Sequence, residues 1–398
     1  MRSILAASLL AVSMPGPATG ADGGLAVDPA ALLIPADAPE LSANAALPER
    51  LRSSPHSYYR RIGSRFTAVI CQRFADRAAA VPTVTLHGDA HLEQYAVTDR
   101  GRGLSDFDDS TTGSALIDLA RFATSLELAA RERGFASAPS VTAFQEGYAR
   151  ALRDPDSVAP EPAFARDLRR GFDRDRKAAL ARSESLMVPL PEGQTPPPAI
   201  LQRASELLAE AAHRPVSFFH IKKLGSLNIG IGSVGDERYL LRIDAGSPAD
   251  KDDIILELKE VRVLADLPCL RAETGGTRIV VAQAQLAYEA FSYVGTLALE
   301  SPAGPRYYWF HAWPDNYAEL RVAALPSAQA LGEIAFDVGV QLGRGHGQHK
   351  GSGESRRLRE QLKAALPGLD LAALATALAD ASEEAWRRFC AQKAARTP

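Results

Sequence analysis

Residues 87–109, HGDAHLEQYAVTDRGRGLSDFDD, constrain this chain more than any other stretch. An apolar run from Val81 to Leu86 leads into it and predicts a buried strand. His87, Asp89 and His91 then fall within five residues, and Asp106, Asp108 and Asp109 gather around Phe107. Asp is rarely buried without a partner. Here Leu86, Tyr95, Ala96, Leu104 and Phe107 tie the segment to a core. Its carboxylates are therefore expected to form a site rather than the tip of a solvated hairpin.

The 398 residues allow about two or three domains, or one large two-lobed unit. A net charge of −3 gives no electrostatic reason to expect nucleic acid or an anionic membrane as partner. Cys71, Cys269 and Cys390 are far apart and odd in number, which predicts neither a zinc site nor a disulfide framework. The N-terminus carries an address. Arg2, the apolar run from Ile4 to Val12, and small residues up to Ala21 read as a secretory signal spanning 1–21. That run is too short to cross a bilayer, and no other segment reads as a membrane span. The mature protein is expected outside the cytoplasm, in the periplasm. Residues 22–48 read as a loose, disordered Pro/Ala linker.

Helical spacing follows at 58–70, where several cations make either an anion site or a solvated basic face. Helices are also expected over 115–133, with Gly134 as the stop, over 145–153 and over 163–183. Asp118 and Arg121, early in the helix expected over 115–133, read as a cap or a structural ion pair. Pro189, Pro191 and Pro196 to Pro198 mark a boundary, and a helix over 199–213 closes the first half. From Val216 the pattern turns to strands, expected at 218–221, 238–243, 254–261, 278–284 and 286–294, while the aromatic run 307–313 reads as a core strand or an inter-lobe segment. Helices over 327–345, 355–365 and 370–393 complete an α+β chain. His346 and His349, at the end of the first of these, read as structural. Gly230, Gly232 and Gly235 form a G-x-G-x-x-G. A strand rather than a helix follows them, which argues for a hairpin and against a dinucleotide fold. Such a hairpin lets backbone amides approach phosphates. Lys259 then stands in an apolar strand, where it could reach phosphate oxygens.

Taken in order, these residues resemble a known family. The quoted pieces are His87-Gly-Asp-Ala-His-Leu-Glu-Gln94, Asp106-Phe-Asp-Asp and Asp118-Leu-Ala-Arg121, then Gly230-Ile-Gly-Ser-Val-Gly235, Leu256-Glu-Leu-Lys-Glu260 and Leu342-Gly-Arg-Gly-His346. Over roughly residues 50–361 they look like the bacterial domain-of-unknown-function 2252 family. That family is similar in its motifs to protein kinases and aminoglycoside phosphotransferases, with the parts in permuted order. The resemblance implies a two-lobed, protein-kinase-like fold, circularly permuted. Residues 49–200 would form a helical lobe, 201–325 a β-rich nucleotide lobe, and 326–398 helices packing back on the first. Asp89 would be the catalytic carboxylate. Asp106, Asp108 and Gln94 would hold Mg²⁺, while Gly230, Gly232, Ser233, Gly235 and Lys259 would bind the phosphates of ATP or another nucleotide. His87, His91, Asp118 and Arg121 would support them. The acceptor is not specified.

This chain departs from the family at two of these positions. Gln94 stands where the family has Asn, and Glu257 where it tends to have Gln. Two further readings fit the residues. One is an exported binding protein that keeps the cleft without turnover. The other is a metallohydrolase built on His87, Asp89, His91 and Asp106.

Overall fold

The computed structural model describes residues 24–190, 198–227, 237–244, 250–264, 266–271, 273–300, 304–349 and 351–392. These contain fourteen α-helices and twelve strands, a mixed α+β architecture. In chain order the strands are β1 (Thr83–Leu86), β2 (Tyr95–Thr98), β3 (Arg102–Leu104), β4 (Thr111–Ser114), β5 (Met187–Val188) and β6 (His220–Leu227). There follow β7 (Arg238–Asp244), β8 (Ile254–Glu260), β9 (Leu270–Arg271), β10 (Gly295–Leu299), β11 (Arg306–Ala312) and β12 (Tyr317–Glu319). They form a six-stranded sheet ordered β10-β11-β8-β7-β6-β5 and two three-stranded sheets, β1-β4-β9 and β12-β2-β3. Every pairing is antiparallel.

Two cores hold these layers. The larger is built on the helix Leu116–Arg133, whose Leu119, Phe122, Ala123 and Leu126 are sealed by the helices Ala328–His346 and Leu371–Ala391. That helix ends on Gly134 in the left-handed conformation, φ +69°, which glycine adopts without a steric penalty. The second core lies between the six-stranded sheet and the helix Pro198–Ala212, around Tyr239, Leu241, Leu256, Leu258 and Phe310. Among the described residues no single helix is long and apolar enough to cross a membrane.

Several expectations need correction. Residues 278–284 are helical, within Thr277–Leu286, and 286–294 form no strand. The β-branched run suggested a strand, but the buried Ile279, Ala282, Gln283 and Leu286 recur at helical spacing. The helix expected over 58–70 is two, Pro55–Arg61 and Gly63–Arg73, broken at Ile62. That over 163–183 is likewise two, Ala163–Arg170 and Arg176–Ser185. Residues 24–48 are not a loose linker. Leu32 and Ile34 are buried, and the Tyr58 hydroxyl donates to the Leu32 carbonyl and accepts from the Ile34 amide. Cys71 and Cys269 form a disulfide, with a Cα–Cα distance of 5.1 Å. No local spacing announces it, because 198 residues separate the pair.

Candidate active site

The turn after β1 is fixed by its backbone. The His87 and Gly88 amides donate to the two carboxylate oxygens of Asp118, at 2.6 and 2.9 Å. Asp118 stands in the first turn of Leu116–Arg133, where a carboxylate also suits the helix dipole. His346, at the end of the helix Ala328–His346, meets the same carboxylate at 3.2 Å and the Tyr148 hydroxyl at 3.0 Å. Gly88 has φ +85°, and an added Cβ would lie 1.9 Å from the Asp109 carbonyl oxygen. Only glycine lets the turn close against the second acidic loop.

This turn delivers Asp89. Its Oδ1 receives Arg121 Nε at 2.8 Å and Nη2 at 2.6 Å. Arg121 is itself fully buried, over the Tyr59 ring at 4.2 Å and bonded to the Tyr59 carbonyl at 3.1 Å. Burial alone would raise the Asp89 pKa, but Arg121 and His91 outweigh it and hold the group below the ordinary carboxylate range. Asp89 is therefore an anion at any physiological pH. His91 Nε2 and the Gln94 amide nitrogen both face its Oδ2 at 3.4 Å.

The second acidic loop carries Asp106, which adopts φ +62°, a strained conformation that Asp tolerates better than most residues. Its Oδ1 accepts from Lys259 Nζ at 2.9 Å, and Asp108 Oδ2 accepts from the same nitrogen at 2.9 Å. Asp108 Oδ1 also receives the Trp309 indole at 2.8 Å. Lys259 sits on β8, in register with Arg238 on β7 and Trp309 on β11. Burial opposes its charge, yet Asp106, Asp108 and Glu257 raise its pKa above the usual lysine value. The carboxylates separate in response. Burial and the Asp106 charge push Asp108 up to about 6, while Lys259 overcomes burial and holds Asp106 well below the normal range. Glu257, two residues before Lys259, is paired with Arg238 at 2.5 Å and His311 at 2.9 Å.

Two cavities meet at Arg60. One, of about 350 Å³, is lined by Asp106, Lys259, Arg238 and the rings of Trp309, Trp313 and Tyr317. The other, of about 570 Å³, holds Asp89 and Asp109. Arg60 lines both and is tied to Glu93 at 2.8 Å.

The structure thus brings Asp106, Asp108 and Lys259 together, and separately gathers Asp89 with Arg121, His91 and Gln94. It does not bring His87 to either group, because His87 Nε2 meets the Ser105 carbonyl at 2.9 Å. Among the described residues no three His, Cys, Asp or Glu side chains converge on one point that could hold a metal. The set His87, Asp89, His91 and Asp106 is accordingly not assembled. Gln94 turns its amide to Asp89, not to Asp106 or Asp108. Gly230, Gly232, Ser233 and Gly235 lie outside the described residues, in the connection between β6 and β7. Sequence reasoning missed Tyr59, Trp309 and Arg278. Arg278 donates to the Asp108 carbonyl at 2.7 Å and holds the acidic loop from behind. Reading its segment as a strand hid this role.

The family model described as "Uncharacterized protein conserved in bacteria (DUF2252)" matches residues 46–190 and 198–392. The chain belongs to the DUF2252 family. The match embraces both acidic loops, Lys259 and His346. Among curated proteins and among solved structures, no significant match to this DUF2252 chain is found.

Proposed function

We propose that this DUF2252 protein is an exported, Mg²⁺-dependent phosphotransferase of kinase-like build. The observation that carries the reading is Lys259. The connection 228–236 joins β6 to β7, and Lys259 lies on β8, the next strand. Protein kinases place their phosphate-binding Lys likewise, on the third strand after a glycine-rich hairpin. Lys259 meets Asp106, 153 residues away in the chain, and the motif resemblance makes Asp106 the counterpart of a kinase's metal-binding Asp. The aromatic rings of Trp313 and Tyr317 in the same cavity suit a nucleotide base.

The donor set fits Mg²⁺, which takes one or two carboxylates and completes its shell with water and phosphate oxygens. Asp106 is 41% exposed on the cavity side and Asp108 is close behind it, so these two would hold the ion. Bound there, Mg²⁺ would neutralise charge on the transferring phosphoryl group. Asp89 would orient the acceptor hydroxyl. Its depressed pKa makes it a weak base, which suits a reaction governed by positioning. The acceptor oxygen forms a bond to the γ-phosphorus as the bond to the β–γ bridging oxygen breaks. The hydroxyl proton leaves by way of Asp89 to water, and a nucleoside diphosphate departs. The Cys71–Cys269 disulfide supports export, since such bonds persist in oxidising compartments.

A binding protein without turnover is the second reading, favoured by Gln94 facing Asp89 instead of the Mg²⁺ position. One experiment tests both. Nucleotide binding is measured by calorimetry with and without Mg²⁺, alongside phosphoryl-transfer assays, for wild type, Asp89→Asn and Asp106→Asn. Asp89→Asn should keep Mg²⁺-dependent binding and lose turnover by about 10²–10⁴-fold, whereas Asp106→Asn should lose both. Mg²⁺-dependent binding with no transfer to any hydroxyl acceptor supports the second reading. Absence of nucleotide binding in the wild type overturns the phosphotransferase reading.

A further inference from the structure

The cavity on the Asp89 side has a charge left over. Within it, Asp89 is matched by Arg121, Asp109 faces Arg262 at 3.3 Å, Arg60 is held by Glu93 and Arg61 reaches Glu40 at 3.7 Å. Arg65 lines the same cavity, is half-buried, and has no ion-pair or hydrogen-bond partner among the described residues. A guanidinium presents a planar fork of donors that fits an oxyanion two bonds at a time. Its position relative to Asp89 is set by one helix. Gly63 backs onto the carboxylate so closely that an added Cβ would lie 3.1 Å from Asp89 Oδ1. Arg65 stands two residues further along that helix, Gly63–Arg73.

We propose that this cavity seats the acceptor, and that the acceptor is a small hydroxyl compound carrying an oxyanion, a phosphate or a carboxylate. Arg65 clasps the oxyanion while the hydroxyl lies at Asp89. The inference deepens the phosphotransferase reading and rests on Asp89 as its acceptor-side carboxylate. The arrangement is also selective. Asp89 and Asp109 repel an anion laid directly over them, so the oxyanion end is steered to Arg65 and the neutral hydroxyl end to the carboxylates.

The test uses glycerol, glycerate and glycerol 3-phosphate as probes, which share hydroxyls and differ in the anionic group. Each is titrated by calorimetry into the purified protein without nucleotide. Glycerate or glycerol 3-phosphate should bind and glycerol should not. The better of the two anions identifies carboxylate or phosphate as the group recognised. Arg65→Gln should weaken that binding about tenfold or more, with Mg²⁺-dependent nucleotide affinity unchanged and melting temperature near that of the wild type. Equal binding of all three probes, binding of none, or binding that survives Arg65→Gln overturns the proposal. A wild type that takes an anionic probe through Arg65 but binds no nucleotide overturns the phosphotransferase reading instead, and leaves the oxyanion site standing.

Discussion

Lys259 holds the fold together as well as lining the candidate site. A lysine in a strand is usually exposed, so from sequence its removal should cost little stability. In the structure it is 4% exposed and bridges two carboxylates. Removing one partner of a buried ion pair leaves uncompensated charge. Because Asp106 is partly in water, Lys259→Ala should lose on the order of 3 kcal/mol in chemical denaturation, the lower end of that range. Lys259→Arg, which keeps the charge, should recover most of it. An alanine variant as stable as the wild type would mean the bridge is not formed. His56 makes a second prediction. It is buried with neither ring nitrogen bonded among the described residues, and burial pulls its pKa from 6.5 to about 3. The unfolded chain takes up this proton first. Its contribution to stability is complete above pH 6.5 and is lost as pH falls toward 3, at about 1.4 kcal/mol per pH unit. Between about pH 7 and pH 4, His56→Leu should lose roughly 3 kcal/mol less than the wild type. Equal losses would show that His56 titrates in the fold as it does in water.

At the scale of elements, the segment after β8 decides the shape of the Asp89 cavity. Val263, Leu264, Leu267 and Leu270 form one wall, and Gly63, Ser64 and Thr67 of the helix Gly63–Arg73 form another. The Cys71–Cys269 disulfide ties the two walls together, and β9 adds a short pairing to β4. Cross-linking over 198 residues removes much chain entropy from the unfolded state. Cys71→Ser with Cys269→Ser should cost on the order of 2–5 kcal/mol. Protein taken from its native host and denatured without reductant should titrate as the single free thiol of Cys390. Three reactive thiols would contradict both the disulfide and the exported location. Elements with a strong period are legible in the amino-acid sequence. The helix at 116–133 and the strand at 254–260 fall within a residue or so of where apolar spacing puts them. The helix Thr277–Leu286 is not legible in this way, because Thr277, Ile279, Val280 and Val281 carry strand propensity and only tertiary burial selects the helical face.

At the scale of the whole molecule, the candidate site is assembled from distant pieces. The acidic loops come from residues near 90 and 107, the lysine from β8 and the histidine behind Asp118 from the end of Ala328–His346. Membership of the DUF2252 family spans all of them. The sequence by itself singled out the candidate residues. His87-Gly-Asp89, Asp106-Phe-Asp108 and Lys259 stand out because charge inside apolar runs is costly and needs a use. It also determined the alternation of helical and strand-rich regions, since periodicity is a local property. Only the tertiary structure decided who partners whom. Arg121 rather than Gln94 holds Asp89 most closely, Asp118 braces a backbone turn instead of pairing with Arg121, and Lys259 spans Asp106 and Asp108. It alone decided that Cys71 meets Cys269 and that His87 turns away from the other candidate ligands. The reason is that spacing along a chain fixes which side chains share a helix face or a strand face, while ion pairs and disulfides form between faces. Which faces meet is settled by the packing of the two cores, a property of the folded chain as a whole.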